Sequence, residues 1–143
     1  VNVLDRMLKA ARVHAPGALD TSIKDEMYIA VDEFLKDSNV WQEIISVSVV
    51  ANDDTYTLTP SETSNINRLM WVYDSNEIPV NTTMAIPGTL VLTTMPSAAG
   101  TISAVVALTV KEPVDVDRWP TVPDWIIEKY WTVILDGVTA RLL

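Results

Sequence analysis

Apolar positions along the chain change period twice, from helical spacing to alternation and back again. Leu4, Met7, Leu8, Ala11 and Ala15 recur in steps of three and four, predicting an amphipathic helix with Asn2 available as its N-cap. Pro16 disfavours helical geometry at Ala15, so "APG" ends this helix. Ile23, Met27, Ala30, Val31, Phe34 and Leu35 predict a second helix, capped by Asp20, Thr21 or Ser22. Asp25, Glu26, Asp32, Glu33 and Asp37 take its opposite side.

From Trp41 to Val110 the pattern becomes that of strands. Of these 70 residues 18 are Ser or Thr, β-branched residues rise, and Arg68 is the only basic side chain. The expected strands are "WQEIISVSVV", "TYTL", "NRLMWVY", "TLVLTT" and "TISAVVALTV". Turn chemistry separates them at "ANDD", "DSN", "IPG" and "PSAAG". The last two strands, joined by the short "PSAAG" loop, read as a hairpin.

Helical spacing returns in Ile127, Trp131, Ile134, Leu135, Val138 and Leu142, after Thr121 or Val122 as a start, Pro123 in the first turn and Asp124 beside the positive helix end. A second row, Ile126, Tyr130, Val133, Gly137 and Ala140, leaves only Glu128, Thr132, Asp136 and Thr139 as a polar stripe. A helix so apolar is expected to be covered on several sides. The pattern reaches Leu143 without a Gly or Pro stop signal.

The expected fold is therefore α+β and a single domain over 1–143. A small helical bundle, two N-terminal helices plus a C-terminal helix, comes from 1–40 and 122–143. An inserted antiparallel β-sheet or small β-sandwich occupies 41–110, and 111–121 is a linker broken by Pro113 and Pro120.

Composition narrows the chemistry. Cys is absent, excluding disulfides and thiolate zinc sites and fitting a cytosolic origin. No signal peptide or membrane span is expected, because the apolar runs are short. The formal charge of -9, with 19 acidic against 10 basic residues, argues against a grip on nucleic-acid phosphates. An acidic wall around a conduit would instead repel phosphates and let DNA slide.

His14 is the only histidine, and it stands at a helix end where it serves as a dipole partner; no base-and-nucleophile set accompanies it. Asp53–Asp54 and Asp115–Asp117 lack the further ligands and the glycine of a cation loop, so they read as a hairpin loop and a solvated linker. No nucleotide-binding glycine motif or nucleophile elbow occurs. The expectation is of no catalytic, cofactor or metal residues. Trp119, between Arg118 and Pro120 in the linker, is a candidate partner contact.

Two long stretches carry a resemblance. "NVLDRMLKAARVHAPGALDTSIKDEMYIAVDEFLKDSNVWQE", through Ala15, Pro16, Gly17, Ala30, Glu33, Phe34, Ser38, Trp41 and Glu43, resembles the opening of head-to-tail adaptor (connector or neck) proteins of tailed bacteriophages. "ANDDTYTLTP" resembles that family's first hairpin. "VPDWIIEKYWTVILDGVTARLL" is similar to its closing helix through Pro123, Asp124, Trp125, Gly137, Ala140, Arg141, Leu142 and Leu143. Between Glu62 and Val110 the likeness is architectural only.

The resemblance implies a structural virion protein, assembled in the host cytoplasm and located in the neck. Its expected partners are the portal protein, a tail or nozzle protein, and further copies of itself in a homo-oligomeric ring, commonly 12-fold. Such a ring extends the DNA channel, passing DNA without specific binding and with no membrane involved. Trp119, Trp125, Arg141, Leu142 and Leu143 are then the candidate partner interface, and Asp25, Glu26, Asp32 and Glu33 the candidate lumen-facing acids. Competing readings are another neck or tail-completion protein, a β-rich carbohydrate- or peptide-binding module, and an enzyme dependent on His14.

Overall fold

The computed structural model describes residues 3–60, 64–111 and 122–143. The Asn2 cap, Pro113, Asp115, Asp117, Trp119, Pro120 and Thr121 lie outside the described residues. The class is α+β: helices at either end, with two three-stranded antiparallel sheets between them. The chain divides into two compact units, Val1–Val40 with Val110–Leu143, and Trp41–Thr109.

In the helical unit, α1 (Val3–His14) buries Val3, Leu4, Met7, Leu8 and Ala11, with Asp5 in its first turn and Arg12 and His14 in its last, matching the helix dipole. Ala15 falls just beyond it, its N–H still bonded to the Ala11 carbonyl at 3.1 Å. α2 (Asp20–Ser38) buries Ile23, Met27, Ala30, Val31 and Leu35. Its N-cap is Leu19, with no side-chain bond, rather than Asp20, Thr21 or Ser22. Asp20 instead pairs with Arg12 across the turn, so its carboxylate serves the ion pair and the dipole rather than a cap. The helix closes at Asn39 in the left-handed region (φ 54), whose N–H bonds the Leu35 carbonyl.

The closing segment is two helices rather than the single one expected. α3 (Asp124–Lys129) starts after Pro123, which stands at the N-cap instead of inside the first turn. α4 (Trp131–Leu142) follows a break at Tyr130 (φ -110, ψ 27). The bonds Tyr130 N–H to Ile126 O and Ile134 N–H to Tyr130 O bridge the break. It coincides with packing of the Tyr130 ring against Phe34, centroids 5.0 Å apart. Ile126, Ile127, Ile134 and Val138 are buried, and α4 packs on α1 and α2. At the α2 contact, the position of a Cβ on Gly137 lies 3.6 Å from the Ala30 Cβ, so two small residues set the approach.

In the other unit, β1 (Gln42–Val49), β2 (Thr55–Thr57), β3 (Ser64–Asp74), β4 (Thr82–Thr83), β5 (Thr89–Leu92) and β6 (Gly100–Val110) form sheets ordered β1-β6-β3 and β2-β5-β4. β1 runs antiparallel to β6 from Gln42↔Ala107 to Val49↔Gly100. Val47, Val49, Val72, Leu90, Leu92, Ile102, Ala104, Val106 and Leu108 join in one core drawn from both sheets, the arrangement of a small sandwich.

Two expected hairpins are absent. β5 and β6 lie in different sheets, because β6 already has β1 on one side and β3 on the other, leaving no free edge for β5. β5 is instead central between β2 and β4. β1 and β2 are not paired either: each is an edge strand of a different sheet, and "ANDD" carries the chain from one sheet to the other. At "IPG" the turn is as its residues demand. Thr89 N–H bonds the Ile86 carbonyl, with Pro87 and Gly88 (φ 86) at the central positions of a type II turn.

Candidate functional site

The closing helices leave part of their apolar surface uncovered. Trp125 is 49% exposed, Val133 57% and Leu143 83%, while Leu142 is half-buried. The expectation of a helix covered on several sides is corrected: its second row is split. Ile126 is buried, Gly137 faces Ala30, and Val133 and Ala140 face outward. Trp131, in the first row, is half-buried, with the Arg6 guanidinium 5.9 Å from its ring centroid.

Two sets of candidates that sequence placed apart meet in one pair. Arg141, expected at a partner interface, forms an ion pair with Glu33, expected to face a lumen. Asp32, also a lumen candidate, is half-buried and accepts a hydrogen bond from Lys36 at 2.9 Å. That bond, and then the Asp32 charge, hold the Lys36 ammonium above its ordinary pKa. Asp25 is exposed and Glu26 half-buried, and no ion pair engages either among the described residues. Of the acidic face of α2, Asp25, Glu26 and Asp37 are thus left without an ion pair among the described residues.

The acidic pair of the β1–β2 connection organises its own loop. Asp53 accepts from the Thr55 N–H at 3.1 Å and Asp54 from the Thr55 hydroxyl at 3.0 Å. The Tyr56 hydroxyl donates to the Asp53 carbonyl and accepts from the Val50 N–H. His14 is exposed at the end of α1. Among the described residues no group of three or more His, Asp or Glu gathers as a cation site. None of the described helices is long and apolar enough to cross a membrane.

One feature was missed by sequence reasoning. Beyond β3 the chain folds back: Asp74 takes the N–H groups of Asn76 and Ile78 on its carboxylate, Val80 N–H bonds the Val72 carbonyl, and Tyr73 pairs with Pro79. Trp71, Val72, Tyr73, Glu77 and Pro79 line a cleft of about 380 Å³ there. The available signal was the two-residue spacing of Trp71 and Tyr73, which sets both on one strand face ahead of the "DSN" turn.

No protein-family model matches the chain, and no curated protein matches it.

Proposed function

We propose that the chain is a non-enzymatic virion part, a head-to-tail adaptor that forms a ring under the portal, extends the DNA channel and docks the tail. The observation that carries this reading is the uncovered apolar side chains of the closing segment, Trp125, Val133 and Leu143, in one of the segments that carry the family resemblance. Large aromatic and aliphatic groups left in water suit a surface that a partner covers. Of the resembling segments, α1, α2 and the closing helices share one compact unit, while "ANDDTYTLTP" belongs to the other. The net charge of -9, with Asp25 and Glu26 unneutralised, suits a conduit past which DNA slides.

The test is electron microscopy of the purified chain mixed with the portal protein of its own phage, class averages being compared with portal alone. Ring-shaped density added beneath the portal is the expected result. A bare portal in the presence of folded chain would overturn the reading. The double variant Trp125→Ser, Leu143→Ser is expected to reduce occupancy of the ring while leaving the helical circular dichroism intact.

A further inference from the structure

We infer that the cleft formed by Trp71, Tyr73, Glu77 and Pro79 is a docking site for an arginine side chain on a surface segment of another protein. Trp71 is 52% exposed, and a large aromatic left so open on a strand is the kind of group that anchors an interface. Among the described residues the cleft is lined by two aromatic side chains and, as its only charged one, Glu77. A guanidinium matches all three, stacking on an indole or phenol ring while its planar fork bonds the carboxylate; an ammonium lacks the plane.

Charge complementarity points the same way. Residues 41–109 contain six carboxylates, Glu43, Asp53, Asp54, Glu62, Asp74 and Glu77, against Arg68 alone. A cationic partner is therefore drawn to this unit. Of the four arginines among the described residues, Arg6, Arg12 and Arg141 are already paired, with Glu128, Asp20 and Glu33, which leaves Arg68 as the one a second copy offers without breaking an ion pair and favours a different protein as the source.

The turn fixes the backbone that carries the carboxylate. Among the described residues three non-glycine positions have positive φ; two are Asn39 and Asn52, which tolerate it, and the third is Glu77 at φ 62. Its N–H is held by the Asp74 carbonyl at 3.0 Å, and the Asp74 carboxylate ties down the residues on either side. A strained backbone kept at an acidic residue on the rim of an aromatic cleft suits a binding role, since it sets where the side chain starts from.

The inference does not rest on the ring reading: a bare portal leaves it standing, and its own failure leaves the ring reading untouched. The experiment titrates the isotope-labelled full chain with acetyl-Gly-Arg-Gly-amide, observing the Trp71 indole N–H and the backbone amides of residues 77, 78 and 80 by NMR. Matched peptides carry citrulline or lysine, and a neutral trisaccharide serves as a further probe. Saturable shifts at these positions are expected with arginine, weakened roughly tenfold or more by citrulline and by Glu77→Gln. Trp71→Leu should abolish them, and the exposed Glu77→Gln variant keeps the test valid if Trp71→Leu misfolds.

Equal response to citrulline, a stronger response to the trisaccharide, or no response at the cleft overturns the inference. Concentration-dependent shifts of the same resonances without peptide, removed by Arg68→Gln, would assign the cleft to a second copy and overturn it as well.

Discussion

The helical unit and the β unit use charge in opposite ways. In the helical unit Arg6 pairs with Glu128, Arg12 with Asp20, Lys36 with Asp32 and Arg141 with Glu33. Each of the last three joins residues one turn apart or on elements packed together, so the polar faces of the helices are largely self-neutralised. In the β unit acids outnumber the single Arg68, and Asp53, Asp54 and Asp74 bond backbone and hydroxyl groups in turns. The difference teaches where a partner's charge is wanted. A cation arriving at the helices must compete with an internal one, whereas the β unit offers six carboxylates against one basic side chain.

The two interiors are, by contrast, equivalent, and the largest expected effect tests that. Ile127 in α3 and Leu90 in β5 are both fully buried. Ile127→Ala and Leu90→Ala should each cost about 2–5 kcal/mol, the transfer free energy plus the cavity left behind. Urea denaturation of each variant measures this. A cost below about 1 kcal/mol for Leu90→Ala alone would mean that the core drawn from both sheets is loosely packed.

The same contrast governs what could be read from the sequence. The stripes of α1 and α2 were legible because Met7 and Ala11, or Ile23, Met27 and Ala30, signal burial through spacing of three and four residues within one element. The break at Tyr130 was not, since no Pro or Gly marks it and the contacting ring, Phe34, sits on another helix. Strand existence was legible from alternation in Ile45, Val47 and Val49. Strand pairing was not: the "PSAAG" loop has hairpin length, yet which edge of β6 is free depends on β1 and β3, far away in sequence. Of the candidate sites, Trp125 and Leu143 are exposed as partner contacts require, but the Arg141–Glu33 pair depends on the packing of α4 on α2 and left no trace in either segment. The cleft was half legible. Trp71 and Tyr73 share a face by their spacing, whereas the return of Pro79 opposite Tyr73 is a tertiary event.

Intermediate effects sharpen the view of the β unit as the place where backbone conformation is spent on turns. Gly88 and Glu77 both have positive φ, and their replacements should act in opposite directions. Gly88→Ala forces a Cβ into a left-handed residue at the centre of the type II turn, and should destabilise by about 1–2 kcal/mol. Glu77→Gly removes such a Cβ. It should stabilise by up to about 1 kcal/mol, less the cost of a more flexible unfolded chain. Thermal or urea midpoints of the two variants give both signs. Stabilisation by Glu77→Gly together with loss of the arginine response would show stability given up for a binding group, the trade expected at a functional position.

The smallest expected effect lies in the helical unit, where neutralisation of charge has a pH signature. The Lys36 pKa is raised first by its hydrogen bond to Asp32 and then by the Asp32 charge, with smaller contributions from Tyr28 and Glu33; partial burial opposes them. A base bound more tightly to its proton when folded contributes stability that is fully present below the unfolded value, about pH 10.4, and is lost as pH rises through the higher folded value. Because Lys36 is half exposed and solvent screens the pair, the contribution is a few tenths of a kcal/mol, about 0.3–0.5, typical of a surface pair one turn apart. The measurement is the difference in urea midpoint between the native chain and Lys36→Gln from about pH 9 to about 12. That difference should shrink as Lys36 loses its proton, and at neutral pH it should also shrink with added salt. A difference unchanged across the range would mean that Asp32 holds Lys36 by packing of its aliphatic stem rather than by charge. The β unit has no lysine between residues 41 and 109, so nothing there can reproduce the lysine response, and the alkaline loss belongs to the self-neutralised half of the molecule.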